Sequence, residues 1–295
     1  MRLTCRFESC QCLIFLDATI RREGCTLAAK RNKKFKFYLG CPNSAWLSRH
    51  KGIPFFVSRN QMPKKRFKRA VTPWALDSGG FTELQREGTW TLPPKEYVSL
   101  VNLYSEEVGS LEWAAPQDWM CEPVVIKGGR AGNQKFKGTG LSVREHQKRT
   151  VDNFMELEDK CSVPIIPVIQ GYTLEEYMYC VYLYDVNGID VTDYPVVGVG
   201  SICRRQATQE AGEILKTLHN HGVSIHGFGL KRHSLRKSVQ HLVSADSMAW
   251  SFNARHSGKS CGKLSSRTGL PIKNCANCHH AAVEWYEQTK TETGF

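Results

Sequence analysis

From residue 37 onward, short apolar runs rich in β-branched and aromatic residues alternate with longer stretches whose apolar residues recur at helical spacing. Eight of the short runs predict strands: Phe37–Gly40, Ile53–Val57, Trp74–Asp77, Leu111–Ala115, Pro164–Ile169, Val196–Gly200, Ser224–Gly229 and Val243–Met248. The amphipathic stretches predict helices over 95–108, 142–160, 173–187, 206–221 and 231–241. A Pro-Pro pair opens the first, and Thr173 with Glu176 three residues on is a capping-box pattern at the third. Repeated strand–helix units with short linkers make parallel sheets, and eight of them fit a (β/α)8 TIM barrel of the α/β class, a doubly wound sheet being the alternative.

Polar residues recur where the predicted strands end: Asp77-Ser78-Gly79-Gly80, Gln117-Asp118, Gln170-Gly171, Gly200-Ser201, Gly229 with Lys231, and Asp246. A barrel gathers those ends at one mouth, which turns scattered residues into a constellation. Taken singly, each Asp is as well suited to capping or turning the chain. Together, Asp77 and Asp246 suit glycosidic chemistry, in which one carboxylate attacks the anomeric carbon and the other manages protons. The Gly79-Gly80 pair lets backbone approach a flat ligand, and Asp118 with Gln170 matches the adjacent N–H donors and carbonyl of guanine.

Composition narrows the partners. The 295 residues carry 40 Lys and Arg against 28 Asp and Glu, a formal charge of +12, with 41% hydrophobic and 23% charged residues. Those are globular values that exclude disordered, collagen-like and coiled-coil classes. The basic residues are clumped: Lys30 to Lys36, then Lys64, Lys65, Arg66, Lys68 and Arg69, then Lys127, Arg130, Lys135 and Lys137 among five glycines in a stretch that reads as a mobile basic loop. Each clump alone can be solvated surface; three together favour a polyanion, nucleic acid first. The longest early apolar run, Leu13–Leu16, is too short for a signal-peptide core or a membrane span, so a soluble, cytoplasmic protein is expected.

The 12 cysteines of so long a chain read as thiols or metal ligands. Cys275-x2-Cys278 with Cys261 upstream is a zinc half-site plus a third ligand, the fourth being His279, with His256 and His280 as alternatives, or else three buried thiols. Such an ion would be structural. Cys5, Cys10, Cys12 and Cys25 crowd an N-terminal stretch without a fold signature. The expected organisation is a basic, Cys-containing extension over 1–35, a catalytic barrel over 36–256, and a zinc-binding segment with a C-terminal helix over 257–295.

The motifs resemble a known family. Asp77-Ser78-Gly79-Gly80-Phe81, Pro167-Val168-Ile169-Gln170-Gly171, Val199-Gly200 and the segment from Asp246 to Asn253-Ala254-Arg255 are similar, in order and spacing, to motifs of the tRNA-guanine transglycosylases, TIM-barrel enzymes that exchange guanine in a polynucleotide for a 7-deazaguanine. The tight Cys-x-Cys-x2-Cys zinc signature of the tRNA enzymes is not matched. Leu76–Leu84, Trp113–Met120 and Ser244–Trp250 look closer to the short phage and bacterial branch, the DpdA-like proteins that place 7-deazaguanines in DNA. This resemblance implies a pentosyltransferase with Asp246 as nucleophile and Asp77 as proton handler. It also implies a base pocket of Ser78, Gly79, Gly80, Asp118, Gln170, Gly171 and Gly200, and DNA held by Lys64, Lys65, Arg66, Lys68, Arg69 and Arg255. A preQ0-like base is the expected second substrate, and a structural Zn2+ the expected cofactor. A homodimer or a helper protein stays open, and a tRNA-directed enzyme or a non-catalytic nucleic-acid-binding barrel is the rival reading.

Overall fold

The computed structural model describes residues 35–205, 208–257, 260–265, 269–272 and 274–295. The expected extension over 1–35, its four cysteines and the cluster Lys30–Lys34 lie outside the described residues, Phe35 apart. The eight barrel strands are β1 (Lys36–Cys41), β2 (Phe55–Ser58), β3 (Trp74–Asp77), β4 (Leu111–Ala114), β7 (Val168–Ile169), β8 (Val197–Val199), β9 (Ile225–Gly227) and β10 (Leu242–Ser247), with β5 (Gly129–Ala131) and β6 (Gln134–Phe136) forming a separate hairpin. All barrel neighbours pair in parallel, in the order β4-β3-β2-β1-β10-β9-β8-β7. The two ends of that order meet: Ala114 N–H donates to Pro164 O at 3.0 Å and Ile166 N–H to Ala114 O at 3.1 Å. The fold is thus the expected TIM-like α/β barrel, with each predicted strand in place.

The strands are apolar on both faces because both faces are covered. Odd residues of β1 and β2, such as Phe37, Leu39, Phe55 and Val57, pack outward against the helices. The alternate residues Tyr38, Phe56, Ala75, Trp113, Ile166 and Val168 fill the barrel's interior. Truncating a large side chain in either layer costs about 3–5 kcal/mol, because so tightly packed a site cannot collapse. The interior tapers through glycine: a Cβ at Gly198 would lie 2.5 Å from the Phe228 ring.

The helices Pro94–Glu107, Val143–Leu157, Leu174–Val186, Gln209–Asn220 and Arg232–Ser238 form the outer ring where amphipathic spacing predicts it. Their starts carry the local signals: Ser142 and Thr208 side chains accept from Glu145 N–H and Ala211 N–H, and Thr173 and Glu176 complete a capping box. After β1 and β2 the chain makes only 3-10 turns, Ser44–Ser48 and Arg59–Gln61. The C-terminal helix His279–Thr293 packs over β1 instead, with Trp285 and Tyr286 each 5.9 Å from Phe37 between ring centroids. The Gly-rich basic stretch is a correction to the expectation of a mobile loop, since it forms the β5–β6 hairpin. Phe136 anchors it in the core against Phe81, and Lys137 N–H donates to Gln85 O at 2.9 Å.

Candidate active site

The C-terminal ends of the strands open into a cleft of about 640 Å3 lined from every barrel strand or the loop that follows it, including Gly40, Ser58, Asp77, Asp118, Gln170, Gly200, Gly229 and Asp246. Parallel register sets these neighbours. Ser58 stands opposite Asp77 across β2 and β3, and Tyr38 opposite Asp246 across β1 and β10.

Asp77 ends β3, where Gly79 takes a left-handed conformation (φ 84°) and caps the helix Gly80–Glu87. Burial raises the Asp77 carboxyl above the usual carboxylate range; hydrogen bonds to the Gly79 backbone and Ser58 oppose that rise, and the negative charge of Asp246 adds to it. Asp246 is buried on β10, and its Oδ1 accepts from Gly229 N–H at 2.9 Å. Beneath it lies His226, fully buried, with Nε2 3.4 Å from the same oxygen and Nδ1 2.9 Å from Ser244 Oγ. The rings of Tyr38, Phe56, Trp113 and Phe228 enclose this imidazole.

Opposite the two aspartates, Gln170 Nε2 donates to Asp118 Oδ2 at 2.5 Å, and Gln170 Oε1 accepts from the Ser201 hydroxyl at 2.6 Å. Ser201 Oγ also accepts from Cys121 N–H at 2.7 Å and stands 3.1 Å from the buried Glu122 carboxylate. Burial, then the charge of Asp77, pushes Asp118 up to about 7. Glu122 is raised as well, by burial. With Asp77, Asp118 and Glu122 all raised in one cleft, ionising the three together is unfavourable. Gln170 keeps one amide hydrogen for a ligand, while Ser201, a serine at φ 56°, holds strain of order 1–3 kcal/mol to fix that amide. Gly200 leaves the room, because a Cβ there would meet Gln170 Nε2 at 2.1 Å.

The structure therefore gathers Asp77, Gly80, Asp118, Gln170, Gly200, Asp246 and Arg255 around the cleft. Ser78, Gly79 and Gly171 lie behind its wall. Ser78 is buried, Gly79 packs on Asn60, and a Cβ on Gly171 would lie 2.7 Å from Tyr177 N. None of Lys64, Lys65, Arg66, Lys68 and Arg69 lines the cleft. Their loop runs down the barrel's flank, and Arg69 bonds to Glu106 O at the end of the helix Pro94–Glu107, near the start of β4.

The three cysteines come together as expected. Cys261, Cys275 and Cys278 hold their sulfurs within 4.8 Å of one another, with Cys261 Sγ 3.5 Å from Cys278 Sγ. Tetrahedral zinc with bonds of about 2.3 Å sets sulfurs about 3.8 Å apart, so the trio fits the ion. His279 is not part of that group: it stacks on His50 at 3.3 Å and edges against Trp46. His256 hydrogen-bonds back to Phe252 O, and His280 lies beside His279. The cysteine segment abuts the cleft, since Asn277 lines it and Ser251 Oγ donates to Ala276 O at 2.5 Å.

A sequence model of the family described as DpdA, DeoxyPurine in DNA protein A, matches residues 33–294. The chain belongs to the DpdA family. The DpdA match spans both the barrel and the cysteine segment. Among curated proteins no sequence match is found. Two solved structures of a candidate isomerase from Sinorhizobium meliloti are similar in shape. One has 12% identity and a TM-score of 0.38, covering 83% of this chain and 58% of that one. The other, an open-loop conformation, has 11% identity and a TM-score of 0.37, covering 74% and 51%. A structure described as native KDPGal has 9% identity and a TM-score of 0.36, covering 88% and 98%. This chain thus spans little more than half the length of the Sinorhizobium protein.

Two of the site's groups escape a reading of this DpdA sequence. Glu122 carries no local motif, and its tie to Ser201 spans 79 positions. His226 does leave a trace: it occupies an inward position two residues from Phe228, where a strand of this kind otherwise carries an apolar side chain.

Proposed function

We propose that the chain exchanges guanine in DNA for a 7-deazaguanine base of the preQ0 kind, as a pentosyltransferase working through a covalent aspartyl–sugar intermediate. The single observation that carries this reading is the pair of aspartates, Asp77 and Asp246, sharing one cleft with the Asp118–Gln170 pair. A base inside a duplex is out of reach, so the target guanine enters flipped out or single-stranded.

In this reading Asp118 accepts from the guanine N–H donors and the second Gln170 amide hydrogen meets its carbonyl. The Asp246 carboxylate, with Oδ1 tied to Gly229 N–H, attacks C1′ through Oδ2 as the C1′–N9 bond breaks. The bonding pair leaves with guanine, and the proton held on Asp77 neutralises it. Guanine departs, the 7-deazaguanine takes its place, and the Asp77 carboxylate removes its N9 proton. N9 then displaces Asp246 from C1′, which restores both carboxyls and retains the anomeric configuration through two inversions. His226 supports Asp246 from below. Cys261, Cys275 and Cys278 would hold a zinc ion, whose chemistry here is to fasten the segment beside the cleft.

Incubation with DNA and labelled base, followed by nucleoside mass spectrometry, tests the reading. Asp246→Asn should slow incorporation by at least roughly 10^3-fold and abolish a protein–DNA adduct that survives denaturation. Incorporation into tRNA and not DNA would move the activity to the other polymer, and an unchanged rate in Asp246→Asn would refute the nucleophile.

A further inference from the structure

The helix Ala249–Ser257 leaves the last barrel strand directly above the nucleophile proposed here. Met248, just before it, and Ser251 and Arg255 on it line the cleft. Met248, Phe252 and His256 follow one another at intervals of four, so they form one ridge running from the cleft mouth outward. Phe252 is 55% exposed, the one exposed phenylalanine among the described residues, and Met248 is 37% exposed. The Phe252 ring is held in a set orientation. It stacks on the His256 ring at 4.1 Å with 29° between planes, and His256 Nδ1 is anchored 2.8 Å from Phe252 O. Lys231 Nζ lies 5.9 Å from the ring's centre.

A rigid aromatic plate beside two cations, at the lip of a cleft that takes one base, has the chemistry of a tool for opening a base stack. Proteins that unstack a duplex insert apolar side chains between base steps and hold the flanking phosphates with cations. We infer that Phe252, backed by His256, enters duplex DNA at the step that the target guanine leaves, while Lys231 and Arg255 hold the adjacent phosphates. The inference rests on the base-exchange reading and adds the substrate form to it, duplex DNA.

Two measurements test it. In the first, labelled base is incorporated into a plasmid offered as native duplex or as heat-denatured single strand. Phe252→Ala should lose at least tenfold on the duplex and stay within twofold of the wild type on the single strand, while Phe252→Trp keeps the duplex rate within threefold. Equal loss on both forms, or no loss on either, overturns the wedge. The second needs no turnover: in duplex oligonucleotides carrying 2-aminopurine beside guanine, fluorescence should rise on binding the wild type and stay flat with Phe252→Ala. A rise that survives Phe252→Ala, or none with the wild type, also overturns it. A Phe252-dependent rise without any incorporation would leave the wedge standing and remove the exchange reading.

Discussion

Asp118 meets the cleft with its carboxyl pushed up to about 7, by burial first and by the charge of Asp77 second. Only its ionised form offers acceptors to both guanine N–H groups, and the ionised fraction grows with pH. Exchange should therefore rise in kcat/KM through pH 7 and level off above it, and Asp118→Asn should remove that limb and lower the plateau by roughly 10^2-fold. The same shift acts on stability with the opposite sense. A carboxyl raised on folding contributes stability below its ordinary value that is lost as pH climbs through 7. Thermal unfolding should accordingly show Asp118→Asn matching the wild type near pH 4 and exceeding it at pH 8. A pH–rate profile unaltered by Asp118→Asn would assign the limb to Glu122.

At the scale of elements, the cysteine segment sets a trio of sulfurs that could hold a metal ion beside the cleft. Cys275 and Cys278 close one 3-10 turn, Cys261 reaches them from upstream, and the C-terminal helix begins at the next residue, His279. Purified protein should hold about one zinc per chain by atomic emission. Cys275→Ser should lose it and lower the unfolding midpoint by roughly 5 °C or more, while folded molecules at low temperature keep most of their exchange activity. Metal-free protein of full stability would make the trio buried thiols. Strands were legible in the sequence because a strand buried on both faces is a short apolar run ended by polar residues. The helix Gly80–Glu87 was not, because its opening glycine pair reads as a turn, and only a left-handed Gly79 wedged beside Asn60 makes it a cap.

For the whole molecule the proposed function raises the question of which charges would meet DNA. The hairpin cations Lys127, Arg130, Lys135 and Lys137 are exposed on the loop after β4, on the cleft side of the barrel, whereas the 64–69 loop descends the flank. Neutralising the four hairpin charges should reduce the slope of log affinity against log salt by roughly 3, at 0.7 to 0.9 per phosphate contact, and neutralising Lys64, Lys65, Arg66, Lys68 and Arg69 should change it less. Equal slopes in both variants would return both clusters to solvated surface. The sequence by itself determined the barrel, the strand ends and the presence of Asp77 and Asp246 in one cleft, since local apolar runs set the strands and closure brings their polar ends together. It also placed the three cysteines, whose spacing is a local property. Tertiary structure alone decided that His279 stacks on His50 instead of joining the cysteines, that Ser201 links Glu122 to Gln170, that His226 Nε2 lies 3.4 Å from Asp246, and that the 64–69 loop descends the flank away from the cleft. Those outcomes depend on partners far apart in the chain and on the orientation of single side chains, and no local pattern of residues encodes either.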